Sequence, residues 1–398
     1  MKIKSILSLI LAVVLLLCTV SCDNSNGDPV STTTTTVNTP VDITICTGNT
    51  SSYQIVTSED SGEETAEALK IFMAIESTFG ASLKRVTDKT DKSDYEIVVG
   101  NTNRYAPSPA LKEKEYIICV KDNSVIITAG SDRALTVAVD KFVNEYIKKD
   151  ANGNLTLSSS LSLKETADIP DIKTVNLKIG SYNIKNGDMV MPDLALLAED
   201  IIDNNIDIVG LQEVNQGSSK VNYQDTLEIL AEETGYNYVY GCTLPSYYGG
   251  TFGNAILSKY PIVDYEAIEL PKYNNEEELR VLLHAEIDIG GEIFHYFTTH
   301  LQQQAAHLQF PAINDAVEDY EFFAIGGDFN RQDFDGVYKE IKNTYLAHTG
   351  TVTTINGYKF DNFIISNNIS SKKFKAEETY NSDHYLIMTD ISITFEVE

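Results

Sequence analysis

The chain has 398 residues, 42% of them hydrophobic, which is enough for two or three domains with sizeable buried cores. Acidic residues outnumber basic ones by 58 to 30, and the formal charge of −28 weighs against a long polyanion such as duplex DNA being held on a broad basic surface. A small or locally bound phosphoester is easier to accommodate.

The first 22 residues carry Lys2 and Lys4, an apolar run over residues 6–17, and then Thr19-Val20-Ser21-Cys22. This is the layout of a secretory signal, with an apolar run too short for an ordinary membrane span. Ser21 before Cys22 resembles a bacterial lipobox, in which the cysteine is lipidated and becomes the first mature residue, although Thr19 stands where that pattern usually has Leu. Loss of Lys2 and Lys4 with the signal takes the formal charge from −28 to −30. Residues 23–40, with threonines from Thr32 to Thr36 and a closing Pro40, read as a flexible tether. The expectation is an exported protein, anchored to the outer face of a bacterial membrane through Cys22 or otherwise secreted. Cys46, Cys119 and Cys242 are an odd, widely spaced trio and make neither a disulfide framework nor a zinc site.

Residues 41–165 read as a small α/β domain. Strand patterns at 53–57 and 95–100 flank a helix over 64–79 with Ala68, Ile71, Phe72 and Ile75 on one face. A hairpin follows from 116–120 and 124–128 across Lys121-Asp122-Asn123, then a helix over about 132–147. The segments Glu96-Ile97-Val98-Val99-Gly100-Asn101-Thr102 and Ile126-Ile127-Thr128-Ala129-Gly130-Ser131 resemble the accessory domain found ahead of some glycoside hydrolase catalytic domains. No acid pair or metal cluster stands out there. The polar stretch 148–171, with Gly153, a serine run and Pro170, reads as the domain boundary.

From 175 to 398 strands become regular: 176–184, 207–214, 254–258, 280–287, 293–299, 322–328, 359–365 and 385–393, with helices over 193–204 and 223–234. Many strands and few long helices predict an α/β domain of two sheets packed face to face and covered by helices. Polar signatures close several of the apolar strands: Ser181-Tyr182-Asn183-Ile184, Leu211-Gln212-Glu213-Val214, Thr299-His300-Leu301, Gly326-Gly327-Asp328-Phe329-Asn330 and Ser382-Asp383-His384.

Such a set suits hydrolysis at phosphorus. A phosphodiester repels a nucleophile through its own charge, and a hard cation relieves that repulsion. Mg²⁺ takes oxygen ligands and is usually held by one or two carboxylates, for which Glu213 is the best single candidate. The bland alternative for Glu213 is a solvated strand-end carboxylate, and for Asp328-x-Asn330 a common turn. If the strand continues past Asp328, both side chains share one face; a strand-end turn would alter that. His300 and His384 are two of six histidines, and an imidazole near its ordinary pKa can pass protons to a leaving oxygen.

In their order and spacing these motifs, together with Gly253-Asn254-Ala255-Ile256-Leu257-Ser258, Arg280 and Asp361-Asn362-Phe363-Ile364, resemble the endonuclease/exonuclease/phosphatase superfamily. The resemblance implies the four-layered α/β/β/α sandwich of the DNase I-like fold and a Mg²⁺-dependent (or Mn²⁺-dependent) phosphoric ester hydrolase. It implies that Asn183, Glu213 and Asp383 form the metal environment and that Asp328 and Asn330 orient or deprotonate the attacking water. It further implies that Asp361 holds His384, with His300 on the leaving-group side or else a buried structural histidine. Asn254 and Arg280 are candidate substrate contacts, and Arg280 either clamps a phosphate oxygen or pairs with a surface carboxylate of this acidic chain. His284, His295, His307 and His348 are read as ordinary surface or core positions. Tyr247, Tyr248 and Tyr273 either shape a substrate rim or are exposed loop residues.

Two departures bear on specificity. Gln302-Gln303-Gln304 and His307 stand where the family often has an acidic residue and a basic helix start, and the chain has no Trp and no dense Lys/Arg cluster near the signatures. Three readings follow: a phosphodiesterase or phosphatase for a small or lipid-linked phosphoester, a secreted nuclease of the DNase I type, or a surface-anchored binding lipoprotein that has lost activity. Nothing in the sequence points to an obligate protein partner.

Overall fold

The computed structural model describes residues 41–59, 61–275, 277–332 and 338–397, so the secretory segment, the tether and Cys22 lie outside the described residues. The chain divides between Ile169 and Pro170 into two compact units.

The first unit runs β1 (Ile43–Cys46), β2 (Gln54–Thr57), α1 (Gly62–Phe79), β3 (Lys84–Thr87), β4 (Glu96–Val99), β5 (Glu115–Lys121), β6 (Ser124–Ala129), α2 (Asp132–Tyr146), β7 (Leu155–Leu157) and β8 (Ser162–Thr166). Six strands form one sheet in the order β3-β2-β4-β6-β5-β8, while β1 pairs with β7. The helix α1 starts where the Ser61 side chain accepts the Glu64 N–H and stops at Gly80, whose φ of 72° suits a residue without Cβ. Its apolar face, Ala68, Ile71 and Ile75, joins Ala134, Ala138 and Phe142 of α2 in a core over Ile55, Ile97 and Ile127. The stretch expected as a polar boundary is partly structured: β7 and β8 belong to this unit, and strands of three and five residues are too short to stand out by alternation.

The second unit runs β9 (Asp171–Asn183), α3 (Ala195–Asp203), β10 (Ile208–Gln216), α4 (Thr226–Thr234), β11 (Asn237–Tyr247), β12 (Gly250–Ser258), β13 (Ile262–Leu270), β14 (Arg280–Asp288), β15 (Ile293–His300), α5 (Ala306–Val317), β16 (Phe323–Asp328), β17 (Thr344–Leu346), β18 (Asp361–Ser366), β19 (Ile369–Glu377) and β20 (Leu386–Val397). One sheet has the order β11-β12-β10-β9-β20-β19 and the other β13-β14-β15-β16-β18-β17. Their facing surfaces share a core of Ile179, Ile208, Ile256 and Ile387 against Leu283, Ala285, Tyr296 and Phe363. On the outer face of the first sheet, Leu197 and Ile201 of α3 and Leu227 and Leu230 of α4 cover Val209, Leu211 and Leu257. On the outer face of the second, Phe310, Ile313 and Val317 of α5 cover Leu282, Phe297 and Ile325. The layers are therefore α/β/β/α, as the resemblance implies.

Each sheet of the second unit is antiparallel except for one central pair, β9 with β10 and β15 with β16, which run parallel. A parallel pair places two carboxyl ends side by side, the position at which open α/β sheets bind ligands.

Candidate active site

The carboxyl ends of the two parallel pairs supply four polar side chains. In the first sheet Asn183, the last residue of β9, pairs in register with Gln212, next to Glu213. In the second sheet His300, the last residue of β15, pairs with Asp328, which also pairs with Asp361 at the start of β18. The Asn183 side chain joins the sheets: its Nδ2 donates to Glu213 Oε1 at 3.0 Å and to Asp328 Oδ2 at 3.1 Å. Its Oδ1 accepts the Lys185 N–H at 3.0 Å, so the amide nitrogen faces the two acids.

Local backbone geometry aims these groups. Glu213 sits at a β-bulge, where the register between β10 and β12 shifts between Leu211 and Val214. Its φ is +58°, a left-handed conformation that a residue with a long side chain rarely adopts. A bulge breaks the strict alternation of side chains and re-aims one of them. Lys185 (φ 46°), Asn186 (φ 58°) and Asn330 (φ 52°) share this conformation. At Asn330 it ends the strand pattern: the backbone N–H donates to Asp328 Oδ1 at 2.8 Å, and the side-chain Nδ2 donates to the Leu301 carbonyl at 2.9 Å. Asp328 and Asn330 thus cooperate through a turn rather than by sharing a strand face, and Asn330 ties the ends of β15 and β16 together.

The two histidines flank Asp328. His384 Nε2 lies 3.6 Å and His300 Nε2 3.5 Å from Asp328 Oδ2. His384 Nδ1 donates to Asp361, 3.1 Å from Oδ1 and 3.0 Å from Oδ2. Burial favours a neutral His384, but Asp361, Asp328 and Asp383 together outweigh it and raise the imidazole to about 10. His300 goes the other way, because burial lowers it to about 4 despite Asp328. Burial and the neighbouring Asp328 charge push the Glu213 carboxyl up, against the hydrogen bond from Asn183.

The remaining sequence candidates take outer positions. Asp383 receives Lys185 Nζ at 2.8 Å. Arg280 Nη2 lies 3.4 Å from Glu278, while its Nε is buried with no hydrogen-bond partner among the described residues, as is His300 Nδ1. Asn254 is buried and donates to the Val281 carbonyl, which also accepts from Thr299 Oγ1. It therefore braces the strands one residue behind Arg280 and His300, and no hydrogen bond links it to the acids.

Sequence reasoning missed three contributors. Thr353 Oγ1 donates to Asp361 Oδ2 at 2.6 Å and accepts the Asp361 N–H at 3.2 Å, and its loop is held against His384 by the Tyr385 N–H on the Thr353 carbonyl. Gln212 Nε2 bridges the sheets by donating to Ser181 Oγ and Thr298 Oγ1. Lys185 brings an ammonium to Asp383 and acts electrostatically on Glu213. Gln212 falls within a quoted motif, but only tertiary contact reveals the partners of Thr353 and Lys185.

A hard divalent cation fits this donor set. Glu213, Asp328 and Asp383 act on one another as neighbouring carboxylates, and the hydrogen-bond donors that reach Glu213 and Asp328 are neutral amides of Asn183, Asn186 and Asn330. Asp328, Asp361 and His384 also bring ligand atoms within 4.8 Å of one another.

Comparison with known proteins agrees with the geometry. Residues 180–384, just over half of the chain, match the Endonuclease/Exonuclease/phosphatase family. The uncharacterized protein YbhP of Escherichia coli is 30% identical over 175 residues, covering 40% of this chain and 66% of YbhP, and YbhP of Shigella flexneri matches equally. The chain thus spans slightly under two thirds of these curated relatives. Among solved structures, an endonuclease/exonuclease/phosphatase family protein from Bacteroides thetaiotaomicron aligns at 15% identity and a TM-score of 0.47, over 56% of this chain and 97% of that one. A mannosyl-6-phosphatase from the same organism aligns at 15% identity and a TM-score of 0.45, over 54% and 99%. With strand ends, motif order and family match in agreement, the chain belongs to the endonuclease/exonuclease/phosphatase family, whose members are hydrolases of phosphoesters.

Proposed function

We propose that the protein is an exported phosphodiesterase or phosphatase that uses Mg²⁺, or Mn²⁺, to hydrolyse a small or lipid-linked phosphoester. The observation that carries this reading is the crowding of acids at the strand ends: one Asn183 amide reaches both the half-buried Glu213 and the buried Asp328, their other hydrogen-bond donors are neutral amides, and His384 stands beside Asp328. Glu213 and Asp383 would hold the cation, with the Asn183 amide positioning the Glu213 carboxylate rather than offering its own oxygen, and the cation when bound would supply Lewis-acid stabilisation and alignment of the phosphate.

The chain's own groups do the rest. Asp328 accepts a proton from the attacking water while the Asn330 N–H fixes its Oδ1. Asp361 orients His384 so that a charged Nε2–H faces the reacting phosphate and opposes the negative charge that builds there. His300 stays neutral on the leaving-group side. Arg280, with an unpaired Nε, contacts a phosphate oxygen. The paucity of cations around these groups favours one phosphate over a nucleic acid backbone.

The test is a metal-dependent screen of the purified protein against an aryl phosphodiester, an aryl phosphomonoester, inositol phosphates, phospholipids, sphingomyelin, RNA and plasmid DNA. Hydrolysis of at least one small or lipid ester with Mg²⁺, abolished by chelation, is expected. Cleavage of plasmid at moderate salt with the small and lipid esters untouched would replace this reading with the nuclease one, and no turnover of anything would favour a binding protein.

Export and anchoring rest on Lys2, Lys4, the apolar run 6–17 and Ser21-Cys22. Cys22→Ala should move the protein from the membrane fraction to the soluble one, and an unchanged distribution would sink the anchor.

A further inference from the structure

A second constellation lies on the α5-facing side of the second sheet, turned away from the active site. His284 and Glu286 are two residues apart on β14 and so share a face, and His295 on β15 stands directly opposite Glu286. His284 Nε2 and His295 Nδ1 are 2.9 Å apart, and one ligand atom from each of the three residues falls within 4.8 Å of the others.

We propose that His284, Glu286 and His295 form a binding site for a divalent transition ion of the zinc class, separate from the catalytic cation. Two imidazoles and one carboxylate are a donor set that suits zinc, and the half-buried positions of Glu286 and His295 leave room for a water to complete the shell. Zinc–nitrogen bonds of about 2.05 Å span 2.9 Å at an angle of about 90°, so a tetrahedral angle needs the nitrogens to part by only about 0.4 Å. Rotation about the broad terminal torsion of histidine covers that.

The surroundings favour the ion. Burial lowers both imidazoles to about 4, so each ring is neutral at pH 7. The proton shared between the facing nitrogens moves to the far nitrogen of its ring by a change of tautomer, and no net proton is lost. Ring walls hold the ligands: Phe297 stacks on His284 with centroids 4.3 Å apart and planes 8° apart, and Tyr320 stacks on His295 at 3.9 Å. Asp264 acts on His284 electrostatically, and Glu266 pairs with His284 across β13 and β14, adding negative charge around the pair. Packing alone would be met by apolar side chains. A bound ion would cross-link β14 to β15, the strand that ends in His300.

The test is equilibrium dialysis of the purified protein against Zn²⁺ with Mg²⁺ in excess, with bound metal counted for the wild type, His295→Gln, Glu286→Gln and His384→Ala. The wild type and His384→Ala are expected to share a class of zinc site that His295→Gln loses and that Glu286→Gln weakens by about tenfold or more. The same zinc should raise the melting temperature of the wild type but not of His295→Gln. Glu286→Gln is isosteric and half-buried, so it decides the matter even if the histidine variant fails to fold. Zinc stoichiometry and affinity equal to wild type in Glu286→Gln would overturn the proposal and leave a histidine hydrogen bond within an aromatic stack.

Discussion

Both units bury carboxylates, but they treat them differently. In the first unit Glu64 is 4% exposed, and its two oxygens accept the Ser58 N–H at 2.8 Å and the Asn101 N–H at 2.6 Å. Gly100 makes room for it, since a Cβ there would fall 2.2 Å from the Glu64 carboxyl carbon. Glu96 is fully buried yet accepts from Gln54 and the Ser93 N–H and lies 3.3 Å from Arg104. In the second unit one Asn183 amide serves both Glu213 and Asp328, the Asn330 N–H and the Asn186 side chain each add one donor, and two imidazoles stand beside Asp328. The contrast teaches that an acid with donors or a counter-ion of its own marks structure, whereas acids crowded together over a shared donor mark chemistry.

The sharpest way to break this contrast is to remove one acid from each side. Glu213→Ala, or His384→Ala, should lower Mg²⁺-dependent hydrolysis by about 10³-fold with circular dichroism unchanged, since each removes charge stabilisation from a site prepared in advance. Turnover near wild type in either variant would refute the assignment. Glu64→Ala should instead leave hydrolysis within about threefold while costing about 1–3 kcal/mol in chemical denaturation of the first unit, because two partly buried N–H groups lose their acceptor. If Glu64→Ala proves neutral to stability, donor matching is not what holds that acid.

Thr353→Val probes orientation. It keeps the shape but removes both hydrogen bonds to Asp361, and should cut kcat by about tenfold with little change in KM, the mark of an interaction used in the transition state. A rise in KM alone would place Thr353 in substrate binding.

The gentlest effect is on the pH dependence of stability, measured without metal. His284, His295 and His300 titrate near 4 when folded and near 6.5 when unfolded, so between these values the unfolded chain holds more protons and stability rises with pH. His384 has the opposite sign: at about 10 when folded, its contribution is full below 6.5 and is lost as pH climbs through 10. The melting temperature should peak near pH 7, by this linkage of about neutral slope there, and His384→Gln should flatten the alkaline side. An undiminished alkaline decline in His384→Gln would show that His384 is not charged in the folded protein.

Much of the fold and the polar ends of its strands were legible because central strands buried on both faces read as apolar runs. In β10 the run from Ile208 to Leu211 is fully buried, and the polar residue that follows it stands out. Exposed strand segments were not legible: the edge strand β13 exposes Val263 and Tyr265, and the central β9 begins with six residues largely outside the core, so these patterns resemble loops. Pro311 inside α5 masks a helix whose apolar face is otherwise regular. The start of α4 at Thr226, later than the expected 223, is fixed by Asp225, whose side chain accepts the Glu228 N–H. Within the site, the motifs gave residue types, whereas the bulge at Glu213, the turn at Asn330 and the Thr353 contact depend on chain segments meeting in space.

The acids and imidazoles come from both sheets and from points as far apart in the chain as Glu213 and His384. Neither sheet alone contains a competent centre, so hydrolytic power arises only once the two have docked and the last strand has been laid down. Under the proposed export of an unfolded chain, this would act as a built-in safety catch, sparing the cytosol's own phosphoesters until both sheets have docked and closed the cleft.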